Sequence, residues 1–200
     1  MTSRRCGAAA AAVLMLLPWA AEAHVGVGPV DGFHAGFTHP FTGLDHLLAM
    51  TAVGIWAAQI GGRALWLVPS SFVAMMLAGG ALGAAGMPLP MVESVIAGSV
   101  LALGALIALR VRPSLAVSAA AVGLFALFHG HAHGTEAPLG VAAADYGAGF
   151  ALATAMLHGG GIVLALALRR LARRSSRWDW SCRLAGGAIA AAGVALLAAA

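Results

Sequence analysis

Residues 64–86 read ALWLVPSSFVAMMLAGGALGAAG, a run without a single charged side chain. About 20 such residues suffice for a helix to cross the hydrocarbon core of a bilayer, and the run lacks the period-two alternation of a barrel strand. The rest of the chain has the same character. Of its 200 residues, 61% are hydrophobic and 9% charged, where an ordinary soluble domain carries about 25% charged residues, and the mean hydropathy is +0.92. Long runs of Ala, Leu, Val and Gly point to an all-α membrane protein, a helical bundle in the bilayer. The net charge of +4 and pI of 10.5 do not point to nucleic acid, because no basic face exists outside short loops between apolar spans. All eleven basic side chains are Arg, and two Cys leave no disulfide framework or thiolate metal cluster.

Arg4 and Arg5 precede an apolar stretch at 7–19, and Ala21, Glu22 and Ala23 supply the A-x-A end of a secretory signal peptide. Cleavage there removes residues 1–23, with Cys6, and leaves His24 as the first residue. The alternative is an uncleaved anchor, but the apolar stretch is shorter than a span. Cys182 is then the only thiol, of a kind that is most often inert. Residues 24–200 read as one six-span transmembrane domain. A Gly-rich lead-in at 24–40 is followed by spans at 41–60, 64–86, 91–109, 114–131, 146–168 and 184–200. Every Arg of this domain falls in alternate connections: Arg63, then Arg110 and Arg112, then Arg169, Arg170, Arg173, Arg174, Arg177 and Arg183. By the positive-inside rule those connections are cytoplasmic. The lead-in and the segments at 86–90 and 131–145 then face outward, which agrees with a secreted N-terminus.

Ionisable groups near or inside apolar spans are costly and therefore mark function. His24, His34, His39, His46, His129, His131 and His133, with Asp31, Asp45, Glu93, Glu136 and Asp145, all map to the outer segments or outer helix ends. His158 lies about 12 residues into the fifth span, near mid-membrane at roughly 1.5 Å per residue. These residues describe an outer vestibule and one deeper station.

The first cluster is HAGFTHPFTGLDHLLAM, residues 34–50. His39 precedes Pro40 and is expected to be extended, while Thr42 or Gly43 starts the helix that carries Asp45 and His46 inward. Two imidazoles and a carboxylate suit Ni, Cu, Zn or Co better than Mg or Ca, which prefer oxygen shells. The plainer alternative is a helix-start Asp facing the dipole and an interfacial His. The second cluster is FHGHAHGTE, residues 128–136. On a helix His129, His133 and Glu136 stand at i, i+4 and i+7 and share a face, a geometry that binds metal. Gly130 and Gly134 leave open a broken helix end lining a cavity, or a surface loop that binds metal adventitiously. Glu93, three residues after Pro90, either compensates a helix dipole or faces inward to complete a site. His158, before three consecutive glycines, is either a deep ligand or a core histidine. Met50, Met75, Met76 and Met156 offer thioethers but read first as packing. A free amine on His24 after cleavage would make a ready chelate.

The runs HPFTGLDH, residues 39–46, and FHGHAHGTE, residues 128–136, resemble the two signature motifs of the HupE/UreJ family of bacterial membrane proteins. The likeness extends over the signal, the His24 start, the six-span layout and the glycine run after His158. It implies uptake of Ni2+, in some members Co2+, across the bacterial inner membrane to supply hydrogenase or urease, whose maturation proteins become expected partners. It also implies that His39, Asp45, His46, His129, His133 and Glu136 are transport residues, with Glu93 as a membrane-embedded acid. The larger nickel/cobalt transporter family has a similar motif with a different spacing and fits less well.

No Walker-type phosphate loop is present, so transport is expected to be secondary or channel-like rather than driven by ATP. The expected route begins at a vestibule of His24, His34 and His131. It continues through His39, Asp45, His46, Glu93, His129 and His133 toward His158, and ends on the Arg-bearing side. Uptake should fall below about pH 6, as imidazoles trade lone pairs for protons. One rival is a membrane accessory protein that binds metal without flux. Another is an intramembrane metalloenzyme that activates water on an open metal position, but the sequence offers no dedicated nucleophile and the chain is not read as an enzyme. The donors would also accept Zn2+.

Overall fold

The computed structural model describes residues 31–137, 140–171 and 177–200, with side chains in the last segment from Trp180 onward. The signal segment, its cleavage site and His24 lie outside the described residues, as do Arg173 and Arg174. Among the described residues every regular element is helical. Helix α1 is Gly32–Thr38, followed by a 3-10 turn, His39–Phe41. Then come α2, Leu44–Ile60; α3, Ala64–Ala84; α4, Val92–Ala108; α5, Leu115–Glu136; α6, Ala143–Leu171; and α7, Arg177–Ala199.

Helices α3, α5, α6 and α7 are long and apolar enough to cross a membrane. The segment from α1 through the turn passes the same test jointly with α2, with an 80° bend between them, and α4 is a shorter apolar helix. The outward surfaces confirm a lipid setting: only 22% of the most apolar window of α3 is buried, and Trp66, Leu109, Val163 and Leu184 lie exposed. Apolar surface on that scale is out of place on a monomer in water.

Several local expectations are corrected. The lead-in contains helix α1, because Asp31 caps it by accepting the Phe33 and His34 amides at 3.0 and 3.3 Å. His39 is αR rather than extended, with φ −55° and ψ −47°. Its amide bonds the Ala35 carbonyl, and its own carbonyl accepts both the Thr42 amide at 3.0 Å and the Thr42 hydroxyl at 2.7 Å. In an apolar setting these bonds offset the steric preference that Pro40 imposes. The helix at the expected fourth span continues past 131 to Glu136, and the one at the expected sixth starts at Arg177 instead of 184, with its membrane-length apolar part at Trp180–Ala199. Arg169 and Arg170 therefore lie in the last turn of α6 and Arg183 in the early turns of α7, not in a free connection.

Close backbone contacts set how the helices pair. A Cβ on Gly79 would strike the Leu127 carbonyl and one on Gly83 the His131 carbonyl, so α3 and α5 run parallel in direct contact. Thr154 lies beside Met50 and, one turn further along both helices, the His158 carbonyl lies on Gly54, so α2 and α6 also run parallel. Helices α4 and α7 are antiparallel, with Gly104 against Ala190 and Gly193 against Leu101. Small residues of this kind let helices approach where no hydrophobic force separates helix from lipid.

The ends of the bundle differ in chemistry. Trp56 Nε1 donates to the Val111 carbonyl at 2.9 Å and Gln59 Nε2 to that of Ile107 at 3.2 Å. These bonds bring the connection with Arg63 beside the one with Arg110 and Arg112, and Gly186 against Ala108 adds the start of α7. At the opposite end His131 Nε2 lies 2.7 Å from the Met87 carbonyl, beside the α3–α4 connection. Among the described residues the arginines gather at one end and the outer histidines at the other.

Candidate metal-binding site

The site forms where α2 begins. Gly43 is the residue before its first turn, so Asp45 sits at the positive end of the helix, where a carboxylate is favoured. Asp45 Oδ1 accepts both the His46 amide and His46 Nδ1, each at 2.7 Å. Since Nδ1 of the neutral ring is the donor, Nε2 keeps its lone pair. That atom is buried with no hydrogen-bond partner among the described residues.

Helix α5 supplies the facing wall and stays continuous through Gly130 and Gly134. Those glycines do not break it; each lies against α3, at the Met76 and Gly80 carbonyls, where a Cβ has no room. The close contact turns His129 and His133 toward α2. His129 is fully buried, and its Nε2 lies 2.9 Å from Ser99 Oγ on α4. Ser99 Oγ also lies 2.7 Å from the Ile96 carbonyl; with its proton directed there, the hydroxyl oxygen accepts Nε2–H and His129 Nδ1 carries the lone pair. Nδ1 has no partner among the described residues, nor does either nitrogen of His133.

His133 is the hub. Its ring centroid lies 4.7 Å from that of His39 and 4.1 Å from that of His46, which is itself 4.6 Å from His129. His39 Nε2 is 3.5 Å from Glu136 Oε2 and His133 Nδ1 is 3.9 Å from the same oxygen. One donor atom from each of His39, His133 and Glu136 fits within a mutual 4.8 Å. Two ligands with bonds of about 2.1 Å to one ion stand roughly 3–4 Å apart, so small side-chain shifts suffice. Beside them lies a cavity of about 200 Å³, lined by His39, Asp45, His46, Glu93, His133 and Glu136 among others. At about 30 Å³ per water, it has room for an ion that keeps part of its hydration shell.

The expected residues divide into three groups. His39, Asp45, His46, Glu93, His129, His133 and Glu136 are brought together, with Glu93 and Glu136 at the exposed rim. His158 is buried one level deeper, edge-on to Phe72 at 5.0 Å, and Phe72 also touches His129 at 5.7 Å. His34 and His131 do not join the cluster. His34 is on the exposed side of α1. His131 is buried and bonded to the Met87 carbonyl, because two residues along a helix turn about 200° from His129. A vestibule built on His131 does not fit this placement. Nor do the glycines after His158 unwind α6: the helix is continuous, with Gly161 packed on α2 and Gly159 and Gly160 facing open space.

Sequence reasoning missed Ser99, Phe72 and Tyr146. The Tyr146 ring lies 6.1 Å from His39, and its buried hydroxyl has no partner among the described residues. Its being the single Tyr of the chain was a usable signal; Ser99 carried none, since a serine in an apolar helix ordinarily bonds its own backbone.

Comparison with known proteins agrees with the motifs. The family model described as HupE / UreJ protein matches residues 12–196. Protein HupE of Rhizobium leguminosarum bv. viciae is 51% identical over 183 residues, covering 92% of this chain and 93% of that protein. No solved structure matches the chain. With a family model over nearly the whole length and a relative sharing half its residues, the chain belongs to the HupE/UreJ family.

Proposed function

We propose that the protein is a secondary or channel-like permease that takes up Ni2+, with Co2+ as a second cargo, across the bacterial inner membrane to supply hydrogenase or urease. The observation that carries this reading is the cavity at the histidine end, where imidazole nitrogens without a hydrogen-bond partner among the described residues converge beside Asp45, Glu93 and Glu136. Carboxylates at the rim attract and partly neutralise a divalent ion. Neutral imidazoles replace its water one ligand at a time, and their affinity for Ni, Co and Zn exceeds that for Mg or Ca. The string His133, His46, His129 and, past Phe72, His158 leads inward.

In this reading α2 to α7 make six crossings, residues 1–23 are a cleaved signal, and the mature N-terminus at His24 is periplasmic. The arginine end faces the cytoplasm. His24 stands near the mouth as a first chelating residue, and maturation proteins of the metalloenzymes receive the ion inside. The chain itself performs no bond chemistry.

The test is entry of radioactive nickel into liposomes containing wild type or Asp45→Asn, with nickel binding measured in detergent. Asp45 fixes the His46 ring, and loss of such a partner typically costs 10–100-fold, so the variant should lose about that much flux. Unchanged flux would remove the first motif from the mechanism. Tight binding without flux in wild type would instead make the protein a metal-binding accessory.

A further inference from the structure

Between the outer imidazoles and His158, the packing is not aliphatic throughout. Thr154 Oγ1 on α6 lies 3.4 Å from Met50 Sδ on α2 and 3.5 Å from Met76 Sδ on α3. All three side chains are buried, none more than 2% exposed. Their register is informative. Met50 is one turn beyond His46, Thr154 is one turn before His158, and Met76 is one turn from Phe72, the ring that touches both His129 and His158. Because α2 and α6 run parallel, this trio lies about 6 Å inward of His46 and the same distance short of His158.

Three lone-pair atoms share one hydroxyl proton at this place. The proton can serve one sulfur at a time, so the other sulfur and the hydroxyl oxygen keep unshared lone pairs among buried side chains. Thioethers are soft ligands, suited to a late transition-metal ion and poor for Mg2+ or Ca2+, which require shells of oxygen. None of the three carries charge, so an ion leaving the acidic rim would be held here without being trapped.

We propose that Met50, Met76 and Thr154 form a relay site for a late transition-metal dication, which hands the ion from the imidazole cluster toward His158 and excludes hard divalent cations. The proposal rests on the transport reading and adds to it a selectivity element outside both signature motifs.

The experiment replaces both methionines by leucine, a change that keeps volume and usually folding. Wild type, Met50→Leu/Met76→Leu and Thr154→Val are reconstituted in liposomes, and entry of radioactive nickel is followed with and without excess Mg2+. Detergent-solubilised samples are titrated with Ni2+ and examined by X-ray absorption at the nickel edge. In the double variant, binding at the outer imidazoles should stay within about threefold, while flux should fall by about tenfold or more, in the range for loss of metal-supporting residues. Thr154→Val should act in the same direction, and Thr154→Ser should retain flux. A double variant with wild-type flux and wild-type discrimination against Mg2+ would overturn the relay. If even wild type moves no nickel, the transport reading fails separately. Sulfur scatterers around nickel that vanish in the double variant would then still establish the site, and a shell of nitrogen and oxygen alone would refute it. Should the double variant not accumulate, Met50→Leu and Met76→Leu singly carry the same test.

Discussion

Ser99 Oγ on α4 lies 2.9 Å from Nε2 of His129 on α5 and 2.7 Å from the Ile96 carbonyl of its own helix. With its own proton on that carbonyl, this small hydroxyl in an apolar helix accepts Nε2–H and fixes which nitrogen of the buried imidazole faces the histidine cluster. Asp45 does the same for His46 from the other wall, so two imidazoles on different helices are each oriented by a hydrogen-bond partner, an arrangement common around metal sites.

Removing the Ser99 hydroxyl should therefore weaken metal binding without disturbing the ligands themselves. Ser99→Ala leaves a buried Nε2–H unpaired, at a cost of about 1–3 kcal/mol, and frees the ring to change tautomer. Nickel affinity should drop about tenfold, and nitrogen NMR of the apo protein should show His129 shifting from its Nε2–H form. Ser99→Thr, which keeps the hydroxyl, should stay near wild type. Equal affinity in Ser99→Ala would mean that His129 does not ligate.

His39 and Glu136 come from distant segments yet stand 3.5 Å apart. If they hold the same ion, losing one devalues the other. The nickel affinities of His39→Ala, Glu136→Gln and the double variant should then be non-additive by about 0.5–3 kcal/mol, the span for residues in one network. Strict additivity would assign them to different ions.

Glycines divide sharply by what faces them. Gly134→Ala would drive a methyl into the Gly80 carbonyl across the α3–α5 contact, and overpacking of this kind costs about 1–3 kcal/mol. Gly159 meets nothing, so Gly159→Ala should be neutral or gain up to about 1 kcal/mol of helix propensity. Thermal unfolding in detergent should separate the two variants in opposite directions. Nickel binding should suffer in Gly134→Ala alone, because the same contact aims His133.

Orientation is open to direct labelling. Met91 lies exposed at the histidine end and Arg112 exposed at the arginine end, while Cys182 is buried. A membrane-impermeant maleimide applied to intact spheroplasts should modify Met91→Cys and spare Arg112→Cys until the membrane is opened. The reverse pattern would invert the direction of transport proposed above.

The sequence by itself determined the long apolar helices and the identity of the polar groups, but not helix α1. Apolar length is a sum along the chain, so the approximate extents of α2 to α7 needed no neighbours, and His or acid residues are too scarce in this composition to be background. Tertiary structure decided the rest. Whether FHGHAHGTE bends or continues depended on α3 lying against Gly130 and Gly134. His39 takes a helical conformation before proline because its carbonyl has two donors at hand. His131 faces a connection while its neighbours face the cluster, and Ser99 and Thr154 acquire meaning only through the helices opposite. The physical reason is that a coordination site depends on the rotation and closeness of separate helices. In lipid those are fixed by backbone contacts between small residues, which the order of residues along one strand of chain does not express.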